Sequence, residues 1–266
     1  MEEGKKLIVA DCDGTLLRSD YSLSEETVSF ISSLKERGVL FVLASGRPPR
    51  AMLPHYEKLK LETPIICYNG GLVYSPFDES YKMEKRPFCK DEVLEICAKA
   101  APFLLGVQIE EGNSIYCLDD DPELDSYFWK EGMNVRVGDP SKLLSKDPYS
   151  VVFKCKEEDD WKLEAIVNGY YPLSWRHWTG SLYSELYYPD ANKGSGLRSI
   201  MKHFGIKKED CYAFGDSLND REMLLEAGHP FVMKNSKAKA LFEEFQSTSK
   251  SNDEDGVLFE LKRLGF

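Results

Sequence analysis

Residues 7–16 of the chain read Leu-Ile-Val-Ala-Asp-Cys-Asp-Gly-Thr-Leu. The apolar residues that begin this stretch predict a strand buried on both faces, as in a parallel sheet. Polar residues follow at once: Asp11 and Asp13 flank Cys12, and Gly14 eases a turn. The stretch therefore predicts a buried strand that presents two carboxylates at its carboxyl end.

Strands and helices alternate in this way along both ends of the chain. After the first strand, Ser24 is a predicted helix N-cap and Gly38 a helix stop, because serine accepts N–H bonds at a helix start and glycine adopts the left-handed conformation at a helix end. Further buried strands are predicted at residues 39–44, 64–67 and 211–214, and further helices at residues 193–204 and 220–227. This alternation predicts an α/β fold with a parallel sheet covered by helices on both faces.

The middle of the chain differs in composition. Residues 85–188 are richer in aromatic and acidic residues, and alternation at residues 175–186 indicates antiparallel strands. We therefore predict a catalytic core at residues 1–84 and 189–266, with a second domain at residues 85–188 inserted into it. Aromatic side chains of the insert would either line a ligand pocket or form its core, and both interpretations remain open for Trp175, His177, Trp178 and Tyr183.

The composition is that of an acidic globular protein. Of 266 residues, 45 are acidic and 34 basic, which gives a formal net charge of -11. Such a surface repels nucleic acid and anionic membranes, so neither is an expected partner. No stretch approaches the ~20 apolar residues of a membrane span, and the first residues do not resemble a secretory signal. The seven cysteines include no C-x-x-C pair and are expected to be free thiols, and we expect a cytoplasmic monomer.

Polar residues follow several of the predicted strands. In an open parallel sheet, ligands bind beyond the carboxyl ends of the strands, so side chains that are distant in sequence converge there. Lys193 opens the helix before the last predicted strand and would reach the same edge. The strand-end residues are Asp11 and Asp13, then Ser45, Gly46 and Arg47, then Asn69, and finally Asp216, Asn219 and Asp220.

This set of residues predicts phosphate chemistry that depends on a metal. Two carboxylates 4 Å apart repel each other by about 4 kcal/mol at an effective dielectric constant of 20, so Asp11, Asp13 and Asp216 need a cation between them. Oxygen ligands without histidine or cysteine favour Mg²⁺. The Ser45 hydroxyl and the Lys193 ammonium would hold phosphoryl oxygens, which supplies the local positive charge that an acidic protein needs to bind phosphate.

The two carboxylates after the first strand suit different chemical roles. Asp11 would attack phosphorus in line to form an aspartyl-phosphate. Asp13 would donate a proton to the leaving alcohol and later accept one from water. Arg47 and Asn69 can each be interpreted in two ways. Arg47 would either hold substrate or be packed by the prolines that follow it. Asn69 would be either a turn residue or a residue that supports the site without contacting substrate.

The motifs DCDGTL, ASGRP, NKG with Lys193, and GDSLND occur in this order, and together they resemble the four motifs of the haloacid dehalogenase (HAD) superfamily. The chain length, the late lysine and the ending SNDEDGV at residues 251–257 are similar to its Cof-type subgroup, subclass IIB. The resemblance implies a Rossmann-like core with an α/β cap inserted after the third strand. One departure is FVMKN at residues 231–235, where the pattern expects a glycine in place of Lys234.

The resemblance also implies a role for each motif residue. Asp11 would be the nucleophile and Asp13 the general acid and base. Mg²⁺ would bind the Asp11 carboxylate, the Asp13 backbone carbonyl and Asp216, with Ser217 nearby. Asp220 would orient Lys193 or a metal-bound water. Phosphate contacts would come from the backbone of Cys12 and from Ser45, Gly46, Lys193 and Asn219.

These observations lead to a phosphatase that acts on small phosphorylated metabolites, and the resemblance implies sugar phosphates among them. Two alternatives remain open at this point. A phosphotransferase of the phosphomutase kind would use the same residues but pass the phosphoryl group to a second hydroxyl. A regulatory protein would bind a phosphorylated ligand without turnover, although intact Asp11 and Asp13 argue against it.

Overall fold

A computed structural model describes residues 5–119, 121–122, 133–178 and 180–266 of the chain. The chain forms two compact units: Met1–Lys85 together with Asn192–Phe266, and Arg86–Ala191. The predicted insert at residues 85–188 contains residues 120, 123–132 and 179, which lie outside the described residues. No helix among the described residues has both the length and the apolar character that crossing a membrane requires.

The strands and helices are labelled in chain order. The strands are β1 Leu7–Asp11, β2 Leu40–Ala44, β3 Ile65–Cys67, β4 Leu72–Tyr74, β5 Glu84–Lys85, β6 Leu104–Glu111, β7 Ser114–Cys117, β8 Asn134–Val137, β9 Ser150–Cys155, β10 Ser174–His177, β11 Tyr183–Tyr187, β12 Cys211–Gly215, β13 His229–Val232 and β14 Gln246–Ser247. The helices are α1 Glu25–Leu34, α2 Pro49–Lys58, α3 Lys90–Ala100, α4 Pro140–Leu143, α5 Asp160–Val167, α6 Lys193–Phe204, α7 Arg221–Glu226, α8 Lys239–Glu244 and α9 Gly256–Arg263.

The first unit is built on one sheet with the strand order β14-β13-β12-β1-β2-β3-β4-β5. Strand β1 is central, and it pairs in parallel with β2 on one side and β12 on the other. Every residue of β1 is buried, as the apolar run predicts. Only β4 and β5, at one edge of the described sheet, are antiparallel to their neighbours. The prediction of an α/β fold with a parallel-sheet core is confirmed.

Helices cover both faces of this sheet. On one face, Ile8 and Ala10 of β1 pack with buried residues of α1, α2 and α9. On the other face, Leu7 and Val9 pack with buried residues of α6, α7 and α8. The predicted helix signals are also in place, since the Ser24 side chain accepts the Thr27 N–H at the start of α1. One boundary was wrong: the helix predicted at residues 220–227 begins as a short 3₁₀ turn, and α7 proper covers Arg221–Glu226.

Glycines let helix α6 lie unusually close to its neighbours. A Cβ atom at Gly194 would be 2.5 Å from the carbonyl oxygen of Glu222, and one at Gly196 about 3.0 Å from Val73. Gly70 has a φ of +97°, and a Cβ there would be 2.3 Å from the carbonyl oxygen of Asn192, the N-cap of α6. The turn after β3 and the first residue of α6, Lys193, are therefore held side by side.

The second unit is built on a separate sheet with the order β10-β11-β9-β6-β7-β8. Its strands are antiparallel except for the β7–β8 pair, and β10 and β11 confirm the antiparallel strands predicted at residues 175–186. Helices α3 and α5 pack on one face, against residues such as Val107 and Phe153. The opposite face, called the second face below, carries Ile115, Cys117, Val152 and Tyr183.

The contact between Gly70 and Asn192 gives a stability prediction. We expect Gly70→Ala to destabilise the protein more than Gly38→Ala, although both glycines have positive φ values in the same unit. At Gly38 no atom of the described residues lies within 4 Å of an added Cβ, so only the left-handed backbone would be penalised, by about 1–2 kcal/mol. At Gly70 the overlap with Asn192 would add roughly 1–3 kcal/mol. Urea unfolding curves would measure both changes, and equal losses of stability would contradict the role of the close contact.

Candidate active site

Acidic side chains from distant parts of the chain meet at the carboxyl edge of the first sheet. One carboxylate oxygen from each of Asp11, Asp216 and Asp220 lies within 4.8 Å of the other two. The turn after β1 passes directly against Asp216, because a Cβ at Gly14 would be 2.6 Å from the Asp216 Oδ2 atom. The Thr15 hydroxyl donates a hydrogen bond of 3.2 Å to Asp216 Oδ1. The structure thus brings together Asp11 and Asp216 and adds Asp220 to them.

Lys193 lies at the centre of this acidic cluster. Its Nζ donates to Asp11 Oδ1 at 2.5 Å and to Asp220 Oδ1 at 2.6 Å, and the side chain is 1% exposed. Burial alone would lower the pKa of Lys193, but the two carboxylates outweigh it and raise that pKa, so the ammonium stays charged. The resemblance implies that Asp220 orients either Lys193 or a metal-bound water. The structure contains the contact between Asp220 and Lys193.

Asp220 also shapes the loop that carries Asp216. Its Oδ2 accepts the backbone N–H groups of Asp216 and Ser217, both at 3.0 Å. In return the exposed Ser217 hydroxyl accepts the Asp220 N–H, which completes a capping box. A Cβ at Gly215 would be 2.5 Å from the Asp220 Cβ, so glycine is needed at the end of β12. The Asp220 carboxylate therefore holds both Lys193 and the loop of Asp216 and Ser217.

The cluster has more negative than positive charge. Burial, with further repulsion from Asp220 and Asp216, raises the pKa of Asp11 well above its usual range even though Lys193 opposes the shift. Burial and the Asp220 charge raise the pKa of Asp216 to about 7. Three carboxylates around one ammonium leave an uncompensated charge that a divalent cation would neutralise. The donors are all oxygen, so the residues fit Mg²⁺.

A second group of predicted residues lies after β2, β3 and β12. Ser45 is buried, and its hydroxyl accepts the Arg47 N–H at 3.1 Å. A Cβ at Gly46 would be 3.1 Å from Asn69 Nδ2, so the Asn69 side chain lies against this glycine. Asn219 Nδ2 donates to Asn69 Oδ1 at 2.9 Å, while the buried Asn219 Oδ1 has no hydrogen-bond partner among the described residues. Asn69 therefore joins the loops that carry Gly46 and Asn219.

Arg47 has a partner that the sequence did not suggest. Its guanidinium is buried and binds the Asp13 carboxylate with both Nε, which donates to Oδ2 at 2.7 Å, and Nη2, which donates to Oδ1. The Asp13 side chain remains 43% exposed. A guanidinium fork holds a carboxylate in a defined orientation, so Arg47 is a positioning residue for Asp13 in this structure. Neither of the two interpretations drawn from the sequence included this contact.

The Cys12 side chain points into the core and away from the carboxylates. Its thiol donates to the Met52 sulfur at 3.6 Å, and the residue is fully buried among apolar side chains of the first unit. Burial, and next the charges of Asp11 and Asp13, raise the pKa of Cys12 well above that of a free thiol. The expectation that only the backbone of Cys12 serves the site agrees with this placement.

Residues near the end of the first unit hold the loop that follows Asp13. Asn235 Nδ2 donates to the Gly14 carbonyl at 2.7 Å, and Asn235 Oδ1 accepts the Asn252 N–H. Asn252 Nδ2 donates to the Leu17 carbonyl. The sequence did not indicate these roles, although both asparagines lie in the stretches FVMKN and SNDEDGV. The Lys234 ammonium lies 3.5 Å from Glu254 on the surface.

Comparisons with known proteins agree with the fold and identify a family. A sequence profile described as haloacid dehalogenase-like hydrolase matches residues 8–261. The chain is 32% identical to 5-amino-6-(5-phospho-D-ribitylamino)uracil phosphatase YitU of Bacillus subtilis, over 98% of each chain. It is 30% identical to the HMP-PP phosphatase of Escherichia coli, over 87% of this chain and 85% of that protein.

Solved structures give the same result for the fold. A haloacid dehalogenase-like hydrolase from Bacteroides thetaiotaomicron superimposes with a TM-score of 0.82 over 98% of this chain and 99% of its own, at 24% sequence identity. The named relatives confirm the prediction of a phosphatase. The match over almost the whole chain confirms the resemblance that the motifs indicated: the chain belongs to the haloacid dehalogenase-like hydrolase family.

Proposed function

We propose that the chain is a magnesium-dependent phosphatase that cleaves small phosphate monoesters through a covalent intermediate on Asp11. The observation that carries this proposal is the buried cluster in which Lys193 bonds to both Asp11 and Asp220 while Asp216 lies alongside. A structural role alone would not account for it, because buried carboxylates in excess over cations destabilise a fold. Their cost is offset when they bind a cation and a phosphate group.

In the first chemical step, an oxygen of the Asp11 carboxylate attacks phosphorus and a new P–O bond forms. The bond from phosphorus to the leaving oxygen breaks, and its electron pair stays on that oxygen. Asp13 supplies the proton that converts the leaving oxygen to an alcohol. The Asp13 carboxyl is partly exposed and is held by Arg47, so it is both oriented and reachable from solvent.

In the second step, a water molecule attacks phosphorus of the aspartyl-phosphate. Asp13 accepts a proton from that water, and the bond between phosphorus and Asp11 breaks to release inorganic phosphate. Asp11 and Asp13 then return to their initial state. A second sugar hydroxyl in place of water would make the reaction a phosphoryl transfer, so the identity of the products separates these two activities.

The other residues bind and hold charge. Asp11, the Asp13 carbonyl and Asp216, with the Ser217 loop, would hold Mg²⁺, which when bound neutralises charge on the phosphoryl oxygens. Lys193 adds a fixed ammonium beside Asp11. The Ser45 hydroxyl, the second N–H of Asn219 Nδ2 and the backbone N–H groups of Cys12 and Gly46 would donate to phosphate oxygens. Preorganised donors of this kind supply much of the rate in phosphoryl transfer.

The substrate we propose is a sugar phosphate or a related small metabolite. The Bacillus subtilis relative is named for a compound in which phosphate is carried on a ribityl chain attached to a uracil ring. That name supports an organic phosphate in which a polyol carries the ester.

The role of Asp11 gives the first functional prediction. We expect Asp11→Asn to lower phosphate release from a panel of sugar phosphates by roughly 10³-fold or more, because an amide is a poor nucleophile. Inorganic phosphate would be measured by colorimetry and isomerised sugar phosphate by chromatography. Asp91→Asn is a matched control, since that side chain is 86% exposed in the second unit and should leave the rate unchanged. A rate close to wild type in Asp11→Asn would rule out the proposed nucleophile.

The two roles of Asp13 can be separated with an activated ester. We expect Asp13→Asn to release p-nitrophenol from p-nitrophenyl phosphate in a burst of about one equivalent per enzyme, because this leaving group needs little protonation. Slow turnover should follow the burst, because the attacking water then lacks its general base. Sugar phosphates should show no such burst, since their leaving alkoxide needs the proton. Stopped-flow absorbance would record the burst. Equal losses for both substrates without a burst would speak against Asp13 as the acid and base.

Metal dependence can be tested by activity and by stability. We expect the activity to disappear after dialysis against EDTA and to return when Mg²⁺ is added. We expect Asp216→Asn to need at least roughly tenfold more Mg²⁺ for the same activity, because this variant loses an anionic ligand. In thermal unfolding, Mg²⁺ should raise the Tm of the wild type more than that of Asp216→Asn. Asp91→Asn again serves as the control. Full activity in excess EDTA would refute the metal requirement.

A further inference from the structure

The sheet of the second unit carries a pocket that the proposed chemistry does not use. Its volume is about 390 Å³, and it is lined from β6, β7 and β9 by Gly106, Gln108, Cys117 and Lys154, with Asp121 beside them. These residues belong to the second face, because Gln108 pairs with Cys117 and Val152 in register and Gly106 pairs with Lys154. The volume falls within the range of small-molecule sites.

Gln108 is the observation that points to a ligand. The residue is 1% exposed and lines the pocket. Its Oε1 accepts the Cys117 thiol at 3.5 Å, whereas its Nε2 is buried and has no hydrogen-bond partner among the described residues. Buried amide donors nearly always have a partner, because leaving one unmade is costly. An acceptor atom of a bound molecule would supply the missing partner.

Gly106 keeps the pocket open. Its φ lies outside the left-handed region, and a Cβ would meet Lys154 Cβ at 3.6 Å, an ordinary contact. Neither backbone conformation nor crowding therefore requires glycine at this position. A β-branched residue would suit a strand better, and its side chain would take up space in the pocket. The glycine and the unsatisfied amide thus lie on the same face of the same strand, two residues apart.

The charges around the pocket limit what it can bind. The Lys154 ammonium lies 2.7 Å from the Asp121 carboxylate, which also accepts the Tyr183 hydroxyl at 3.1 Å. Asp119 adds a second carboxylate to the lining. Among the lining residues that the structure describes, negative charge therefore exceeds positive charge, so a phosphate or another anion would be repelled. A neutral molecule fits this environment.

We propose that this pocket binds a neutral, flat ring whose carbonyl oxygen or ring nitrogen accepts a hydrogen bond from Gln108 Nε2. Leu105 and Pro122 supply apolar surface for the face of the ring. A polyol suits the site less well, because it has no flat apolar face to lie against Leu105 and Pro122. Such a ring would be either the organic part of the substrate, an identity that rests on the proposed function, or a separate free metabolite.

Binding of simple ring compounds tests the pocket directly. The probes are uracil, cytosine and nicotinamide, compared with inositol as a polyol and benzoate as an anionic ring, and calorimetric titration would measure their affinities. We expect at least one neutral ring to bind and inositol and benzoate to bind at least tenfold more weakly. Absence of binding by all neutral rings, or equal binding of inositol, would overturn the proposal.

Variants of the lining residues localise the binding. We expect Gln108→Leu, which removes the donor at similar volume, to weaken ring binding by about tenfold or more, while the Tm without ligand stays at or above that of the wild type because an unsatisfied group is gone. Gly106→Val should block the pocket. Gln246→Leu makes the same chemical change on an exposed strand of the first unit and should leave binding unchanged. Unaltered affinity in folded Gln108→Leu would also overturn the proposal.

The two sources of the ring differ in kinetics. If the ring is the organic part of the substrate, the free ring should inhibit phosphate release competitively, and Gln108→Leu should raise KM for a ring-bearing ester while leaving KM for a ring-free ester such as glycerol 3-phosphate unaffected. If the ring is a separate metabolite, inhibition or activation should not be competitive. Asp11→Asn should bind the ring as the wild type does, so a failure of the proposed catalysis would leave the binding result intact.

Discussion

The buried ammonium of Lys193 joins two parts of the chain that are far apart in sequence, the end of β1 and the loop after β12. Its bonds to Asp11 and Asp220 place opposite charges within 2.6 Å in a region almost without solvent. Much of the surrounding structure serves to bring this one side chain there. Close contacts at Gly70, Gly194 and Gly196 position the start of its helix, and Gly215 makes room for Asp220. The excess of carboxylates around it makes the cluster suited to cations and phosphate rather than to stability.

Much of the fold and the location of the site could be predicted from the sequence. Buried parallel strands appear as apolar runs, so β1 and its polar carboxyl end were evident, and Ser24 and Gly38 marked a helix start and a helix end through local chemistry. The convergence of Asp11, Asp216 and Asp220 follows from the rule that ligands bind at the carboxyl edge of a parallel sheet. These features depend on local sequence or on topology that is nearly universal.

Pairings between side chains could not be predicted in the same way. The fork between Arg47 and Asp13 depends on how two neighbouring loops approach each other, and nothing in ASGRP or DCDGTL specifies it. The sequence did not show that the Gln108 amide is buried and lacks a partner for Nε2 among the described residues. A glutamine within an apolar strand looks like an exposed position until its burial and its hydrogen bonds are known. The Trp175 ring packs against the apolar cluster on one face of its sheet, and Tyr183 is fully buried on the other face, placements that depend on long-range packing.

The hydrogen bonds that Asn235 and Asn252 donate to the loop after Asp13 have a consequence for synthesis of the protein on the ribosome. The strand that carries Asp11 emerges early, but its neighbour β12 and both asparagines are made some 200 residues later. Arg86–Ala191 is continuous in sequence and can collapse while the first strand still lacks one neighbour. Asp11 therefore acquires its environment only after β12 and both asparagines have been made, so a nascent chain that lacks them holds Asp11 and Asp13 without the contacts of the folded unit.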